Sequence, residues 1–227
     1  MNRKQDNQFY RLNRRSFLQQ SAIAAVLSTM AGAKLLTGKA SAQGTVTDLD
    51  ILNYALTLEH LESRAYQDVN NIGLLSGSAR DYFLDFGDQE AAHVVALTGT
   101  IIKLGGTPMR AQDKYNFPQF KSGQEVLDYF QILEELGAAA YLGAAPLIQD
   151  KDLLTAAVGI HNVEGQHAAI LGELVGQSPE MVFGEAKTME QILAVVTPLL
   201  SASPAAMPAT GRGGYVAPAF GPRFFSE

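Results

Sequence analysis

Two stretches of the chain carry glutamate, tyrosine and histidine in the same order. Each stretch has a glutamate, a tyrosine seven residues later and, about thirty residues after the glutamate, the motif Glu-x-x-His. These residues are, in chain order, Glu59, Tyr66, Glu90 and His93, and then Glu134, Tyr141, Glu164 and His167. The offset of 74 or 75 residues between the two sets indicates an internal repeat that keeps its polar groups. Carboxylates and imidazoles suit iron or manganese, and zinc less specifically, so the repeat predicts metal chemistry.

The repeated glutamates and histidines are predicted to lie inside a helical protein. Residues three or four apart share one face of a helix. Four predicted helices each have an apolar face of this spacing with the polar residues in its middle, as in Phe83, Phe86, Glu90, His93 and Leu97. Taking a carboxylate out of water costs several kcal/mol, so four of them in a core need compensation. Two divalent cations would neutralise four carboxylates, with the imidazoles filling remaining coordination positions.

Four other acidic or histidine residues lie close to the repeat. Glu62 lies on the apolar face of the first helix, but Gly137 stands at its place in the second copy. Glu62 is either a fifth carboxylate ligand or an acid near the mouth of the site. Glu135, His60 and His161 lie off the apolar faces. We predict that Glu135 is solvated and that the two histidines are surface residues or neighbours of the ligands.

Capping signals, glycines and prolines divide the sequence into five predicted helices. They run from Thr47 to about Asp68, from Ser78 to near Gly105, from Ser122 to about Pro146, from Asp150 to Gly176 and from Thr188 to Leu200. Short turns make the first and second helices, and the third and fourth, antiparallel pairs. Residues 105–121 join the two pairs, and about 17 extended residues reach roughly 55 Å, more than the roughly 37 Å of a bundle helix.

The predicted fold class is therefore all-α. It is a ferritin-like four-helix bundle, in which two antiparallel hairpins are joined by one long crossover. A short fifth helix and an extended C-terminal tail follow the bundle. We assign residues 43–176 to the bundle, residues 177–202 to the short accessory helix and residues 203–227 to a tail rich in proline and glycine.

The first 42 residues are typical of an export signal. Residues 13–19 read Asn-Arg-Arg-Ser-Phe-Leu-Gln, which resembles the twin-arginine signal of bacteria. A mildly apolar run to about Leu36 precedes Ala40-Ser41-Ala42, a site suited to signal cleavage. We predict that residues 1–42 are a signal peptide and that the mature protein begins at Gln43, in the periplasm or outside the cell. An uncleaved signal would instead be a membrane anchor.

Composition excludes several classes of function. The chain has no cysteine, which excludes disulfides and thiolate metal sites. Residues 1–42 hold seven of the 17 Lys and Arg but one of the 23 Asp and Glu, which leaves 10 basic and 22 acidic residues and a net charge of −12. Because such a surface repels phosphate backbones, we expect no nucleic-acid partner.

The motifs together resemble the ferritin-like superfamily of di-iron and di-manganese carboxylate proteins. The ligands of that superfamily are one glutamate from each of two helices and Glu-x-x-His from each of the other two. The resemblance implies two iron or manganese ions bound by Glu59, Glu90, His93, Glu134, Glu164 and His167, with Tyr66 and Tyr141 hydrogen-bonded to ligand carboxylates. Leu-Glu-x-Leu-Glu, Asp-Gln-Glu-Ala-Ala-His and Ala-Tyr-Leu-Gly-Ala-Ala-Pro also make residues 47–175 similar to secreted ferritin-like proteins, which include desiccation-related proteins of plants and bacteria.

Two functions follow from this resemblance. The first is an oxidoreductase that acts on dioxygen or peroxide, in a ferroxidase-like or catalase-like reaction. The second is a non-enzymatic protein associated with stress or desiccation, whose metal site is structural or vestigial. The aromatic residues of the tail either form an interaction module or pack back on the bundle; these residues are Tyr215, Phe220, Phe224 and Phe225. Formation of a homo-oligomer is left open.

Overall fold

Five α-helices make up most of the residues that the computed structural model describes, which are 46–177 and 183–200. They are α1 (Asp48–Ile72), α2 (Gly77–Lys103), α3 (Gly123–Ala144), α4 (Lys151–Leu174) and α5 (Met189–Val196). Single 3-10 turns, Ala145–Leu147 and Thr197–Leu199, follow α3 and α5. The predicted signal peptide at residues 1–42 and the predicted tail at residues 203–227 lie outside the described residues.

The first two helices begin and end close to their predicted limits. Thr47 caps α1 through a complete capping box with Asp50. The helix continues four residues past the predicted end, to Ile72, and is followed by Gly73, whose φ of 70° is the left-handed conformation that terminates many helices. Helix α2 begins at Gly77, one residue before the predicted cap Ser78, with Ser76 in the N-cap position. The prediction missed this start because a serine followed by an acidic residue three positions later resembles a capping box.

The other helices follow their capping signals more closely. Ser122 accepts a hydrogen bond from the backbone N–H of Glu125, but the Glu125 carboxylate accepts from the N–H of Lys121, so the expected capping box is only half formed. Asp150 accepts hydrogen bonds from the first two N–H groups after Lys151 and so caps α4. Thr188 caps α5 with a complete capping box. These bonds satisfy backbone donors that an isolated helix end leaves unpaired.

The helices form the predicted all-α, ferritin-like bundle of two antiparallel hairpins. Helix α1 packs along α2, and α3 packs along α4, while α1 and α3 meet in the centre. Thirteen residues of α1 and eleven of α3 are buried, against five of α2 and four of α4. The bundle interior is therefore built mainly around α1 and α3, and side chains of α2 and α4 complete it from outside.

The crossover lies against α1 at its beginning and against the turn after α5 further along. The N–H of Asn116 in the crossover donates to the carbonyl of Leu199, at a distance of 2.7 Å, next to an isolated bridge between Tyr115 and Leu200. The segment before α5 lies against α3, where the N–H of Lys187 donates to the carbonyl of Ala139. Both ends of α5 are thus attached to other parts of the fold.

None of the helices in residues 46–177 and 183–200 is both long enough and apolar enough to span a membrane.

Candidate metal centre

Six side chains from four helices meet in the middle of the bundle. Their ligand atoms form two groups of four, and within each group all the atoms lie within 4.8 Å of one another. The His93 group consists of Glu59, Glu90, His93 and Glu164, and the His167 group consists of Glu90, Glu134, Glu164 and His167. Each group offers enough donors to hold a metal ion. The two groups share Glu90 and Glu164, so two ions bound there would be neighbours.

The helical spacing accounts for this convergence. Glu90 and His93 are three residues apart on α2, as are Glu164 and His167 on α4, so both members of each pair project from one helical face. All four glutamates are 0% exposed, as expected for polar residues in the middle of an apolar face. The six residues that the sequence singles out therefore come together as one buried cluster.

In the His93 group a single ring nitrogen faces three carboxylates. Nδ1 of His93 lies 3.2 Å from Oε2 of Glu59 and 3.1 Å from Oε2 of Glu90. It also lies 3.5 Å from Oε1 of Glu164. One hydrogen cannot serve three acceptors well, whereas a divalent cation binds several oxygens together with a nitrogen.

In the His167 group the two ring nitrogens have separate partners. Nδ1 of His167 lies 3.0 Å from Oε1 of Glu90 and 3.2 Å from Oε2 of Glu134. Nε2 lies 2.6 Å from Oε1 of Gln89. Because an amide oxygen only accepts hydrogen bonds, Nε2 carries the hydrogen, and Nδ1 is the nitrogen available to a metal ion. The ring of Phe86 stacks on this imidazole with a centroid distance of 4.0 Å.

Two tyrosines hold the glutamates that the groups do not share. The hydroxyl of Tyr66 donates to Oε1 of Glu134 at 2.5 Å, and the hydroxyl of Tyr141 donates to Oε1 of Glu59. Each tyrosine therefore serves the glutamate of the other copy of the repeat and links α1 to α3. In both pairs the second carboxylate oxygen faces the histidine of the same group. The predicted hydrogen bonds of Tyr66 and Tyr141 are thus present.

Burial makes ionisation of most of these carboxylates unfavourable. Burial, together with repulsion from Glu90, raises the pKa of Glu59 to about 8. Burial likewise raises the pKa of Glu134 and, further, that of Glu164. Burial also opposes the ionisation of Glu90, but hydrogen bonds from His167 and His93 outweigh it and lower the pKa of this residue to about 2. Glu90 lies between the two imidazoles, which explains why it alone keeps its charge easily.

The same cluster favours positive charge on the imidazoles. Burial acts to lower the pKa of His93, but hydrogen bonds with Glu59 and Glu90 outweigh it and raise this pKa to about 10. For His167, burial is outweighed by hydrogen bonds with Glu134 and Glu90, and the pKa rises to about 9. The cluster therefore stabilises positive charge strongly, and either a proton on an imidazole or a bound metal ion can supply that charge.

Glu62 is buried beside the cluster but belongs to neither group. It is 2% exposed, and burial, followed by repulsion from Glu134, raises its pKa well above the usual range. A Cβ atom added to Gly137 would lie 2.9 Å from Oε1 of Glu62 and would collide with the carboxylate of Glu164. The glycine that replaces a glutamate in the second copy of the repeat thus makes room for Glu62 of the first. Whether Glu62 is a fifth ligand or only a neighbouring acid stays a prediction.

The residues that the sequence sets aside have other partners. Nε2 of His60 lies 3.2 Å from the carbonyl oxygen of Met109, and Nδ1 of His161 lies 3.1 Å from that of Ala138. Glu135 is exposed and accepts a hydrogen bond from the Gln131 side chain. None of the three belongs to either group of potential ligands among the described residues.

Comparisons with known proteins identify the family. The sequence matches the family described as ferritin-like domain over residues 47–177, which is more than half of the chain. The chain belongs to this family. No curated protein sequence matches it significantly. The ferritin-like domain of this chain contains the whole cluster, together with Gln89 and the two tyrosines.

Two solved structures resemble the ferritin-like domain of this chain. One is a conserved hypothetical protein, rv2844, from Mycobacterium tuberculosis, with 19% identity and a TM-score of 0.52 over 59% of this chain and 93% of that one. The other is described as ferritin like, diiron-carboxylate proteins from Bacillus anthracis str. Ames, with 24% identity and a TM-score of 0.48 over 56% of this chain and 94% of that one. The likeness to the first supports the fold.

The side chains of the cluster in the ferritin-like domain are chemically suited to bind a metal ion. Both carboxylate oxygens of Glu164 and Oε2 of Glu62 are buried and receive no hydrogen bond from the described residues. Buried oxygens of this kind cost free energy unless something compensates them. Carboxylate oxygens and imidazole nitrogens within 4.8 Å of one another are suitable donors for iron, manganese or zinc.

Gln89 contributes to the site but is not among the residues predicted from the sequence. It precedes Glu90 in the motif Asp-Gln-Glu-Ala-Ala-His, and its contact with His167 crosses from α2 to α4. The corresponding residue before Glu164 is Val163, which has no polar side-chain atom to offer His93. Gln89 could have been found from the sequence, because a polar residue stands next to a predicted ligand in only one of the two copies of the repeat.

Proposed function

We propose that this protein is an exported ferritin-like oxidoreductase that binds two iron or manganese ions and acts on dioxygen or peroxide. The observation that carries the proposal is the pair of overlapping donor groups, which share Glu90 and Glu164 inside an apolar bundle. Four carboxylates of charge −1 match two cations of charge +2, and this balance removes the cost of burying the carboxylates. A dinuclear site therefore accounts for a cluster that is otherwise poorly compensated.

Each residue has a definite place in this proposal. Glu59 and His93 would hold one ion, Glu134 and His167 would hold the other, and Glu90 and Glu164 would contact both. Two such ions, when bound, supply electrons for the reduction of dioxygen or peroxide, or exchange electrons with peroxide in its dismutation. The protein contributes a largely apolar interior, and donors whose positions are set before any ion arrives.

Hydrogen bonds around the donors keep them in place. Tyr66 and Tyr141 each fix one oxygen of a glutamate and leave its other oxygen directed into the cluster. Gln89 fixes the orientation of the His167 ring and the nitrogen that faces the carboxylates. Such restraints reduce the rearrangement needed when the charge of the ions changes.

Metal analysis followed by oxidant assays tests the proposal. We expect the mature protein from its native compartment to contain about two iron or manganese ions per chain, from the two donor groups. The loaded protein should oxidise Fe(II) with dioxygen or decompose peroxide faster than the chelated protein does. A loaded protein inert to both oxidants but more stable than the metal-free form would favour the non-enzymatic, desiccation-associated function instead.

The proposed export has an independent test. We expect the mass of the protein purified from bacterial cells with a twin-arginine pathway to correspond to a chain that begins at Gln43. Replacing Arg14 and Arg15 with lysine should keep the full-length chain in the cytoplasm, while Lys34→Arg, a change outside the arginine pair, should not affect export. A full-length chain that stays with the membrane fraction would show that residues 1–42 anchor the protein.

A further inference from the structure

An apolar cavity lies next to the His93 group. It has a volume of about 60 Å³ and is bounded by all four helices of the bundle. Its lining includes Ala55, Leu58, Leu97, Tyr141, Ala157 and Ile160. Ala55 and Ile160 each stand four residues before a potential ligand, and Leu97 stands four residues after His93. Because residues four apart share a helical face, the cavity lies one helical turn from the His93 group.

The opposite flank of the centre is filled with aromatic rings. Phe86 stacks on His167, and Tyr66 contacts Phe83 and Phe130 with ring centroids 5.1 Å and 4.6 Å away. The two flanks can be compared residue by residue through the repeat. Phe86 corresponds to Ile160, and Phe130 corresponds to Ala55. Smaller side chains at both positions leave space next to the His93 group where aromatic rings stand next to the His167 group.

The lining of the cavity does not suit a polar occupant. Its hydroxyls are those of Tyr54, Thr100 and Tyr141. Tyr141 donates to Glu59, and Thr100 donates to the carbonyl of Ala96 at 2.8 Å, so the buried hydroxyl of Tyr54 is the one of the three that has no hydrogen-bond partner among the described residues. A buried water needs two to four polar partners, and hydrogen peroxide, which has two donor and two acceptor groups, needs as many. The cavity reaches the surface between Ala96 of α2 and Ala156 of α4, which are exposed, and its wall is otherwise mainly apolar, so it favours small apolar molecules over polar ones.

The volume restricts the occupant to a very small molecule. A cavity that binds benzene measures about 150 Å³. At about 60 Å³, the cavity has room for a diatomic gas but not for an organic ring. We propose that this cavity admits dioxygen to the His93 side of the metal centre and disfavours peroxide there. The inference rests on the proposed oxidoreductase function and names its oxidant.

Xenon binding tests the cavity without any metal. Crystals of the mature, metal-free protein exposed to xenon gas should contain xenon between Ala55, Leu97 and Ile160. Ile160→Phe, which copies the residue of the other flank, should remove that xenon. Ala157→Leu, a second cavity-filling change, covers the case in which the first variant fails to fold. Val158→Phe on the exposed face of the same helix is the matched control and should keep the xenon.

Oxidant assays then separate the cavity from the centre. In proteins loaded with Fe(II), we expect Ile160→Phe to slow oxidation by dioxygen about tenfold and oxidation by peroxide less than twofold, with unchanged metal content. Ordered water in the cavity instead of xenon, or an equal loss with both oxidants, would overturn the inference alone. Xenon in the cavity of a wild-type protein that reacts with neither oxidant would overturn the proposed function and this inference with it.

Discussion

The His93 group and the His167 group offer the same kinds of donor but have different surroundings. His167 is 1% exposed, stacks on Phe86 and is hydrogen-bonded to Gln89. The His93 side chain is 12% exposed and stands next to the apolar cavity. The difference shows that a repeat can keep a set of ligands while the residues around them diverge. One side of the centre is packed with aromatic rings, and the other leaves room for a small molecule.

The largest expected effect is the loss of both groups at once. Glu90→Ala together with Glu164→Ala removes the two carboxylates that the groups share, so we expect metal content to fall from about two ions per chain to nearly none. Elemental analysis after dialysis against Fe(II) or Mn(II) measures it. Glu135→Ala, on the exposed face of α3, is the control and should keep full metal content. A double variant that still holds one tightly bound ion would mean that the groups do not depend on shared ligands.

The second prediction compares the histidines in the metal-free protein. We expect His167→Ala to lower the free energy of unfolding by about 3 kcal/mol, because it leaves a cavity against Phe86 and removes a donor from buried carboxylates. His93→Ala should cost about 1 kcal/mol, since water reaches this side chain and can replace some of its contacts. Urea denaturation in the presence of a chelator gives both values. Equal costs would contradict the proposed difference in packing around the two histidines.

Much of this arrangement was predictable from the sequence, and the reason is periodicity. Glu90 and His93, like Glu164 and His167, interrupt apolar faces in the middle of long helices, which places them in the core whatever the details of packing. The five helices and the long crossover follow from capping residues and glycines in the same way. The metal ions themselves remain a prediction, because the structure establishes only that the donors converge.

The asymmetry of the centre was not predictable in this way. The contact of Gln89 with His167, the stacking of Phe86 and the cavity beside Ile160 all depend on how α2 and α4 face each other. The spacing of residues along one helix says which face is buried but not which side chain of another helix lies opposite. The role of Gly137 in making room for Glu62 was not predictable for the same reason, because it depends on a contact between α3 and α1.

The third prediction concerns the support of one histidine. Gln89→Leu removes the acceptor for Nε2 of His167, so we expect the affinity for one of the two ions to fall about tenfold while the other is unchanged. Stepwise titration with Mn(II), followed by calorimetry, resolves the two sites. Gln89→Glu keeps an oxygen at this position and should restore the affinity. If both affinities are unchanged in the leucine variant, Gln89 does not support metal binding by the His167 group.

The smallest expected effect is a difference in pH dependence between the two unshared glutamates. Burial raises the pKa of Glu59 to about 8, above its value in the unfolded chain, so its protonated form stabilises the metal-free protein fully below about pH 4.5, and that contribution is lost as the pH rises through about 8. The raised pKa values of His93 and His167 act in the same direction above about pH 6.5, while the lowered pKa of Glu90 matters only in acid.

The melting temperature of the chelated protein should therefore fall by several degrees between pH 5 and pH 8. Glu59→Gln, which stays neutral at every pH, should flatten this decline more than Glu134→Gln. For Glu59, burial and then repulsion from Glu90 raise the pKa to about 8, whereas for Glu134 the hydrogen bond with His167 is the largest effect after burial and lowers the pKa. Thermal unfolding monitored by circular dichroism at intervals across this range measures both slopes. If the two variants flatten the decline equally, the glutamates experience equivalent surroundings, and the contrast between the two sides of the centre is confined to the histidines and the cavity.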